Sequence, residues 1–224
     1  MQYFQPDYLY MKRILCFAIA FLSATISFAQ TGLEIVNRMN ERISSLKDKG
    51  LSVNVDIKVP VVGLVTTRTW VLGDKRRLDV NMKGHDIITF NDGKTNWVYM
   101  SESNSLIITN DTITAKVAQG QNSKGSMDVD MFGDIAGGYD VTIKSENLVK
   151  WELLCKKKKS NDDDDSPKKI TLEVRKDSYD PISMSTKMMG ITMTMSNFKF
   201  GITEKDVTFN EADYPGVTIE DKRN

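Results

Sequence analysis

The sequence predicts an α+β fold built from about eleven short antiparallel strands and two or three helices. Three observations support this prediction. Apolar and polar residues alternate over many short stretches, which is the pattern of strands with one buried face. Turn-forming residues such as Asn91-Asp92-Gly93 separate consecutive stretches, as in a meander of hairpins. Helical spacing of three and four is found near the start of the chain and again near its middle.

The N-terminal segment is expected to be a cleaved export signal. A basic pair at 12–13 precedes an apolar run at 14–22, and small residues lead to a predicted cleavage after Ala29. The apolar run is too short for a membrane-spanning helix, which needs roughly 20 apolar residues. The residues before Met11 suit no export signal, so Met11 is an alternative start. The predicted parts are therefore a signal peptide, 1–29, and a single exported domain, 30–224.

The first element of this domain is a predicted amphipathic helix. Thr31 followed three residues later by Glu34 is a capping box, in which the two side chains satisfy otherwise unpaired backbone donors. Apolar residues then recur along one side at Leu33, Val36, Met39, Ile43 and Leu46. This stripe predicts a helix that docks on the sheet.

Alternating segments follow the helix to the end of the chain. In the first of them Val53, Val55 and Ile57 alternate with polar residues until Pro60. Strands are predicted at 51–59, 66–72, 77–82, 87–90, 95–100, 105–108, 141–143, 150–157, 169–174, 182–188, 191–200 and 217–219. The short turns between them favour antiparallel pairing.

Residues 120–138 interrupt the strand pattern. Apolar residues at Met127, Met131, Phe132 and Ile135 fall on one helical face between glycine-containing boundaries. A short helix is therefore predicted among the strands.

A charged segment at 156–165 separates two predicted strands. A run of lysines is followed by a run of aspartates and by Pro167. Clustered carboxylates could bind calcium, but the ligand spacing and the internal glycine of a calcium loop are missing. A solvated hairpin tip is the favoured interpretation.

The composition argues against several functional classes. Thirty basic and thirty acidic side chains cancel, so no long-range field favours nucleic acid. One His and two Cys leave no cluster with zinc spacing, and no metal or cofactor is expected. His85 is predicted to be an exposed turn residue and Cys155 a half-buried strand residue, each without a neighbouring catalytic partner. No catalytic residues are assigned, and an enzyme is not expected.

Methionine is over-represented, with twelve in the chain and a concentration between 184 and 195. Its flexible, polarizable side chain suits surfaces that repack around differing apolar ligands, although ordinary core packing is the alternative. Ile191, Met193 and Met195 alternate with polar residues and so give one strand an apolar face. Together with the predicted Met-Phe helix, this pattern favours an apolar cavity beneath a helical lid.

Three segments carry a family resemblance. The first is Trp70-Val71, then Lys75-Arg76-Arg77, then the alternating Leu78, Val80 and Met82. The second is the hairpin NDGKTNWVY at 91–99, and the third is Val207-Thr208-Phe209 with PGVTIEDKR at 215–223. With the export signal and the chain length, these segments resemble the LolA-type family of periplasmic lipoprotein carriers.

The resemblance implies an incomplete, half-open antiparallel β-barrel whose apolar cavity is covered by helices. It also implies a periplasmic carrier that shields the acyl chains of lipoproteins. Such a carrier receives its cargo from an inner-membrane ABC transporter and passes it to an outer-membrane acceptor. No cofactor and no nucleic acid is implied, and a monomer is expected. The family's Arg-Pro pair after the Trp-containing strand is replaced here by 73–77, where Lys75 or Arg76 could serve cargo transfer.

We assign residues to this cavity as hypotheses. The lipid-binding wall comprises Val55, Ile57, Leu78, Val80, Met82, Trp97, Tyr99, Met193 and Met195. The lid comprises Val36, Met39, Ile43, Met127, Met131, Phe132 and Ile135. Two alternatives stay open: a carrier of phospholipid or glycolipid, and a regulatory module of the same fold that senses lipids or lipoproteins.

Overall fold

The computed structural model describes residues 30–110, 133–161, 163 and 166–223. Contacts divide the chain into Met1–Thr31 and Gly32–Asn224, and the helices and strands belong to the second unit. Its helices are α1 (Gly32–Ser45), α2 (Gly133–Gly138) and α3 (Glu204–Val207). Its strands are β1 (Leu51–Val59), β2 (Gly63–Leu72), β3 (Lys75–Met82), β4 (His85–Asn91), β5 (Thr95–Met100), β6 (Ser105–Asn110), β7 (Tyr139–Glu146), β8 (Lys150–Lys157), β9 (Lys169–Arg175), β10 (Pro181–Met188), β11 (Ile191–Phe200) and β12 (Thr218–Asp221).

All twelve described strands form one sheet. Their order along the sheet is β12-β6-β5-β4-β3-β2-β1-β11-β10-β9-β8-β7. Neighbouring strands are antiparallel, except that β12 adds to β6 in parallel. The pairing of β1 with β11 joins the meander β1–β6 to the meander β7–β11. Among the described strands β7 and β12 are unpaired edges, so the barrel is half-open.

The strand register defines two faces of the sheet, because directly paired residues point to the same side. We call the inner face the one on which α1 and α2 pack, marked by Val53 and Leu153. The opposite side, marked by Trp70 and Phe90, is the outer face. The turns at 60–62, 83–84, 101–104 and 189–190 lie at one end of the strands, which we call the upper rim. The turns at 73–74, 92–94 and 147–149 lie at the other end, the lower rim.

The main core lies between α1, α2 and one half of the inner face. α1 presents Ile35, Val36, Met39 and Ile43 to the sheet, and each is almost completely buried. Their partners include Trp151, Leu153, Leu172 and Val174 on β8 and β9. Gly32 allows this close approach, because a Cβ there would lie 2.9 Å from the Val141 carbonyl oxygen. The helices therefore seal the part of the inner face formed by β1 and β7–β11.

The C-terminal segment covers part of the outer face. Phe209 stacks on Trp97 with ring centroids 5.8 Å apart, and it meets Phe90 edge-on at 5.8 Å. Tyr214 packs on Tyr99 at 4.6 Å. These aromatic contacts give the sheet a second apolar cluster on the side away from the helices.

The predicted α+β fold with mostly antiparallel strands is confirmed. Each of the twelve predicted segments overlaps one of the twelve described strands, one more than the overall figure of about eleven. α1 forms as predicted, and the predicted stripe is buried at Val36, Met39, Ile43 and Leu46. Ile35 is buried as well, whereas Leu33 is exposed. Of the predicted mid-chain helix, 133–138 is helical. Met127, Met131 and Phe132 lie outside the described residues, as does the predicted export signal.

Candidate functional site

The candidate site is the half of the inner face formed by β2–β6. The register places one continuous set of side chains on this surface. It comprises Val65, Thr67, Thr69 and Val71 on β2, Leu78, Val80 and Met82 on β3, Ile87 and Thr89 on β4, Val98 and Met100 on β5, and Ile107 on β6. Most are only half-buried, and Met82 and Ile87 are exposed. The sheet thus carries an apolar wall that is less covered than the helix-packed half.

The structure brings seven of the nine predicted wall residues onto the inner face. Val55 pairs with Met195, and Ile57 pairs with Met193. Through β2, these residues continue to Leu78, Val80 and Met82 on β3. Val55 and Met195 are buried in the main core, whereas Ile57 and Met193 lie at its margin. Their role in binding cargo stays a prediction.

Trp97 and Tyr99 are the exceptions, and their placement corrects the expectation that they belong to the wall. Trp97 pairs with Phe90 and Tyr99 with Ile88, and all four point to the outer face. The C-terminal rings cover them there. The physical reason is that β5 is apolar on both sides, so alternation alone does not indicate which set faces inward.

The inner residues of β5 are Val98 and Met100, which the sequence assignment missed. The available signal was the two-residue turn at Lys83-Gly84, which pairs Met82 with His85 and fixes the register of β4. Counting on from that turn places Ile87 and Thr89 beside Val80 and Leu78. The following hairpin at 92–94 then places Val98 beside Thr89.

The described lid residues lie in the main core. Val36, Met39, Ile43 and Ile135 are at most 2% exposed and contact the sheet side chains of the core cluster. Whether they move as a lid stays a prediction.

One buried polar atom on this face, the Thr69 hydroxyl, has no hydrogen-bond partner among the described residues. Thr67, by contrast, donates its hydroxyl to the Val55 carbonyl at 3.2 Å. An unpaired buried polar atom is costly, and a polar group of a bound molecule could pair with it. The wall therefore contains threonine hydroxyls among its apolar side chains.

The predicted transfer residues lie at the lower rim. Because side chains alternate along β3, Lys75 and Arg76 point to opposite faces of the sheet. Lys75 forms an ion pair with Glu204 of α3. The register directs Arg76 to the inner face, where it pairs across strands with Val71 and Asn91. Beside them, the end of α1 and the turn at 73–74 enclose a cavity of about 500 Å³. Its lining is mixed, with apolar Leu46, Leu51 and Phe200 and charged Lys75 and Glu204.

His85 and Cys155, the two residues considered for chemistry, lie in different surroundings. His85 opens β4 and is exposed, rather than lying in the turn itself. Cys155 is completely buried under the helices rather than half-buried, and burial raises the pKa of its thiol to about 11. A thiol with that pKa carries little thiolate at neutral pH.

The described residues contain no group of three or more His, Cys, Asp or Glu side chains that could hold a metal ion. Within the described part of the chain, no helix combines the length and the apolar character needed to cross a membrane.

Comparison with known proteins identifies the fold. LprF from Mycobacterium bovis aligns with a TM-score of 0.50 at 11% identity, over 78% of this chain and 96% of that one. The lipoprotein LppX of Mycobacterium tuberculosis aligns with a TM-score of 0.47 at 10% identity, over 76% and 95%. A LolA superfamily protein from Nitrosomonas europaea aligns with a TM-score of 0.30 at 13% identity, over 82% and 100%.

At 11% identity the match to LprF shows a shared fold alone. No protein-family model and no curated protein sequence matches the chain. The half-open, helix-covered fold that the LolA-type resemblance implied is confirmed by the sheet architecture and by this match.

Proposed function

We propose that this protein is a periplasmic carrier that shields the acyl chains of lipoproteins and shuttles them from the inner to the outer membrane. The cargo would lie on the inner face of β2–β6 and on the adjoining, partly buried Ile57 and Met193 at the margin of the main core. The observation that carries the proposal is the apolar, half-covered wall described above. In this proposal the protein performs no catalysis. It receives cargo from an inner-membrane transporter and delivers it to an outer-membrane acceptor.

The energetics of acyl chains favour such a surface. Each methylene left in water costs about 0.8 kcal/mol, so an acylated protein does not cross an aqueous compartment unshielded. A carrier must also release its cargo. Unbranched Met82, Met100 and Met193 on an open wall offer adaptable contacts without a closely fitting pocket.

The buried Thr69 hydroxyl in the wall favours cargo whose acyl group carries a polar linkage. The unpaired Thr69 hydroxyl could donate a hydrogen bond to the carbonyl of an ester or amide. A pure hydrocarbon would leave this hydroxyl unpaired.

The direct test is to purify the protein from the periplasm of its own host and to identify co-purifying molecules by native mass spectrometry and lipid extraction. A co-purifying triacylated lipoprotein is the expected result. Free phospholipid or glycolipid alone would replace this proposal by the alternative carrier. An empty protein that also ignores acylated peptides would refute it and favour a sensory module.

A matched pair of substitutions on β11 tests the location of the site. Met193 points to the inner face and its neighbour Thr192 to the outer face, where Thr192 lies across from Lys58 and Lys187. Met193→Asp should weaken binding of a fluorescent acylated peptide at least tenfold, because a charge replaces an apolar contact. Thr192→Asp adds the same charge one residue away and should leave binding unchanged.

Met193→Gln provides a nearly isosteric variant that keeps the strand folded. Loss of acylated-peptide binding without a change in thermal midpoint is expected for this variant. Equal binding by Met193→Asp, Met193→Gln and the unmodified protein would exclude β11 from the site.

A further inference from the structure

Exposed apolar side chains are concentrated at the upper rim of the sheet. Thirteen large hydrophobic residues of the described chain are exposed, and eight of them lie at this rim, so their distribution is uneven. The eight are Val61, Val62, Leu64, Met82, Ile87, Met188, Met189 and Ile191. Val61 is fully exposed and Met189 is 90% exposed. Isolated exposed hydrophobics are ordinary, but a contiguous group marks an interaction surface.

Two hairpin tips form the centre of this group. The β1–β2 tip carries Val61 and Val62, and the β10–β11 tip carries Met189. The tips are neighbours because β1 pairs with β11 up to Lys58 and Thr192. A Cβ placed on Gly190 would lie 3.7 Å from the Pro60 ring. We call Val61, Val62, Leu64, Met188, Met189 and Ile191 the rim patch.

The backbone at both tips is unfavourable for the residues present. Val61 has a φ of 74° and Met189 a φ of 50°, in the left-handed region. A β-branched residue rarely adopts this conformation, and a two-residue hairpin turn with positive φ favours Asn-Gly over Met-Gly. Turn stability therefore does not explain why these positions are apolar.

Three lysines lie beside the rim patch. Lys58 and Lys187 lie on either side of Thr192 at one level of the outer face, and Lys83 lies in the next turn of the rim. All three are exposed, and none forms an ion pair with another described residue. The acidic side chain nearest Lys83 in sequence, Asp86, accepts a hydrogen bond from Asn81 at 2.6 Å.

We propose that the rim patch is a docking surface for an anionic phospholipid bilayer. Protruding apolar tips enter the boundary between headgroups and acyl chains, while lysines beside them attract the anionic headgroups. The charge complementarity of Lys58, Lys83 and Lys187 selects this partner over an apolar protein groove. The protein would then bind membranes reversibly at one end of its sheet.

The rim patch is continuous with the apolar wall. Met82 and Ile87 at the rim point to the same inner face as Val80, and Met188 pairs with Ile191 beside Met193 on that face. A bilayer at this rim would meet the wall directly. Membrane docking at the rim does not require cargo on the wall.

The test measures binding of the purified full chain to lipid vesicles, with the same N-terminal segment in every variant. Vesicles of phosphatidylcholine with phosphatidylglycerol are compared with vesicles of phosphatidylcholine alone. The double variant Val61→Asp with Met189→Asp should bind both types at least tenfold more weakly, because the two most exposed tip residues no longer insert. Aspartate tolerates positive φ better than valine, so this variant should remain folded.

A second variant tests the charge. Replacing Lys58, Lys83 and Lys187 by Gln should weaken binding to the anionic vesicles about a hundredfold, at roughly fivefold per lysine. Binding to pure phosphatidylcholine should not change. Added salt should have an effect similar to that of the lysine variant.

The lower rim provides a matched control. Leu148 and Val149 are also exposed apolar turn residues, and Leu148→Asp with Val149→Asp should leave vesicle binding intact. The proposal is overturned if the Val61 and Met189 variant binds like the unmodified protein, or if the control loses as much affinity. It is also overturned if the rim variant only abolishes self-association, measured by sedimentation velocity.

Membrane docking and cargo binding should be lost in different variants. Met193→Asp should lose acylated-peptide binding and retain vesicle binding. The Val61 and Met189 variant should show the reverse.

Discussion

Adjacent residues of β5 allow the two faces of the sheet to be tested separately. Trp97 points outward and stacks on Phe209, with an angle of 12° between the ring planes, whereas Val98 points to the inner wall beside Thr89. Trp97→Ala removes the aromatic contact from the outer face and leaves the wall unchanged. Val98→Thr keeps the volume and the strand but introduces a hydroxyl into the wall. The two substitutions should therefore affect different properties of the protein.

The magnitudes follow from burial. Replacing a buried Trp or Phe by Ala costs about 3–5 kcal/mol, and Trp97 is only partly buried, so we expect a loss of about 2–3 kcal/mol. For a chain of this length that loss lowers the thermal midpoint by roughly 5–10 °C. Val98→Thr should weaken acylated-peptide binding about fivefold and cost less than about 1 kcal/mol of stability.

Thermal unfolding followed by circular dichroism and fluorescence titration with an acylated peptide measure the two effects. If Trp97→Ala weakened peptide binding as much as Val98→Thr and left the thermal midpoint unchanged, the assignment of faces would be refuted.

Three further predictions concern stability and reactivity. Gly50 has a φ of 69°, and a Cβ there would lie 2.8 Å from the Val71 carbonyl oxygen, so Gly50→Ala should cost about 2–4 kcal/mol in urea unfolding. Buried Cys155, whose pKa is raised to about 11, should resist a thiol reagent at pH 8 until denaturant is added; rapid labelling of the native protein would contradict its placement. Hydrogen bonds from Thr203 lower the pKa of Asp206 below its ordinary value of 3.8. The ionised carboxylate therefore stabilises the fold fully above about pH 4, and this stabilisation is lost as the pH falls through the pKa of the folded state. Asp206→Asn should therefore cost about 1 kcal/mol at pH 7, and the difference should shrink toward pH 3; a difference independent of pH would contradict the role of the charge.

The local pattern of the sequence predicted strands well because one-sided burial leaves a period of two. The bounds of β5 and β8 agree with the alternating segments at 95–100 and 150–157. The pattern predicted faces less well, because the C-terminal segment covers the outer face and makes both sides of β5 apolar. Alternation therefore could not distinguish Trp97 from Val98, and only the register counted from the hairpin turns could.

The same limit applies to the helix and to the rim. Leu33 and Ile35 both fit a helical stripe, and the choice between them depends on how α1 is rotated about its axis when it packs on β7–β9. The proximity of the tips carrying Val61 and Met189 depends on the pairing of β1 with β11, which are separated by most of the chain. Non-local pairing of this kind leaves no periodic signal in either segment.

The burial of α1 constrains how cargo could enter. Moving the helix away would expose Ile35, Val36, Met39 and Ile43, each of which is at most 2% exposed. At about 1.5–3 kcal/mol per side chain, this opening costs about 6–12 kcal/mol. That cost is comparable to the whole stability of a typical domain, so α1 would rarely detach from the sheet. We therefore expect cargo to bind with α1 in place, along the open wall of β2–β6. Hydrogen exchange of the α1 amides should be slow and nearly unaffected by acylated peptide, whereas fast exchange suppressed by the peptide would restore α1 as a moving lid.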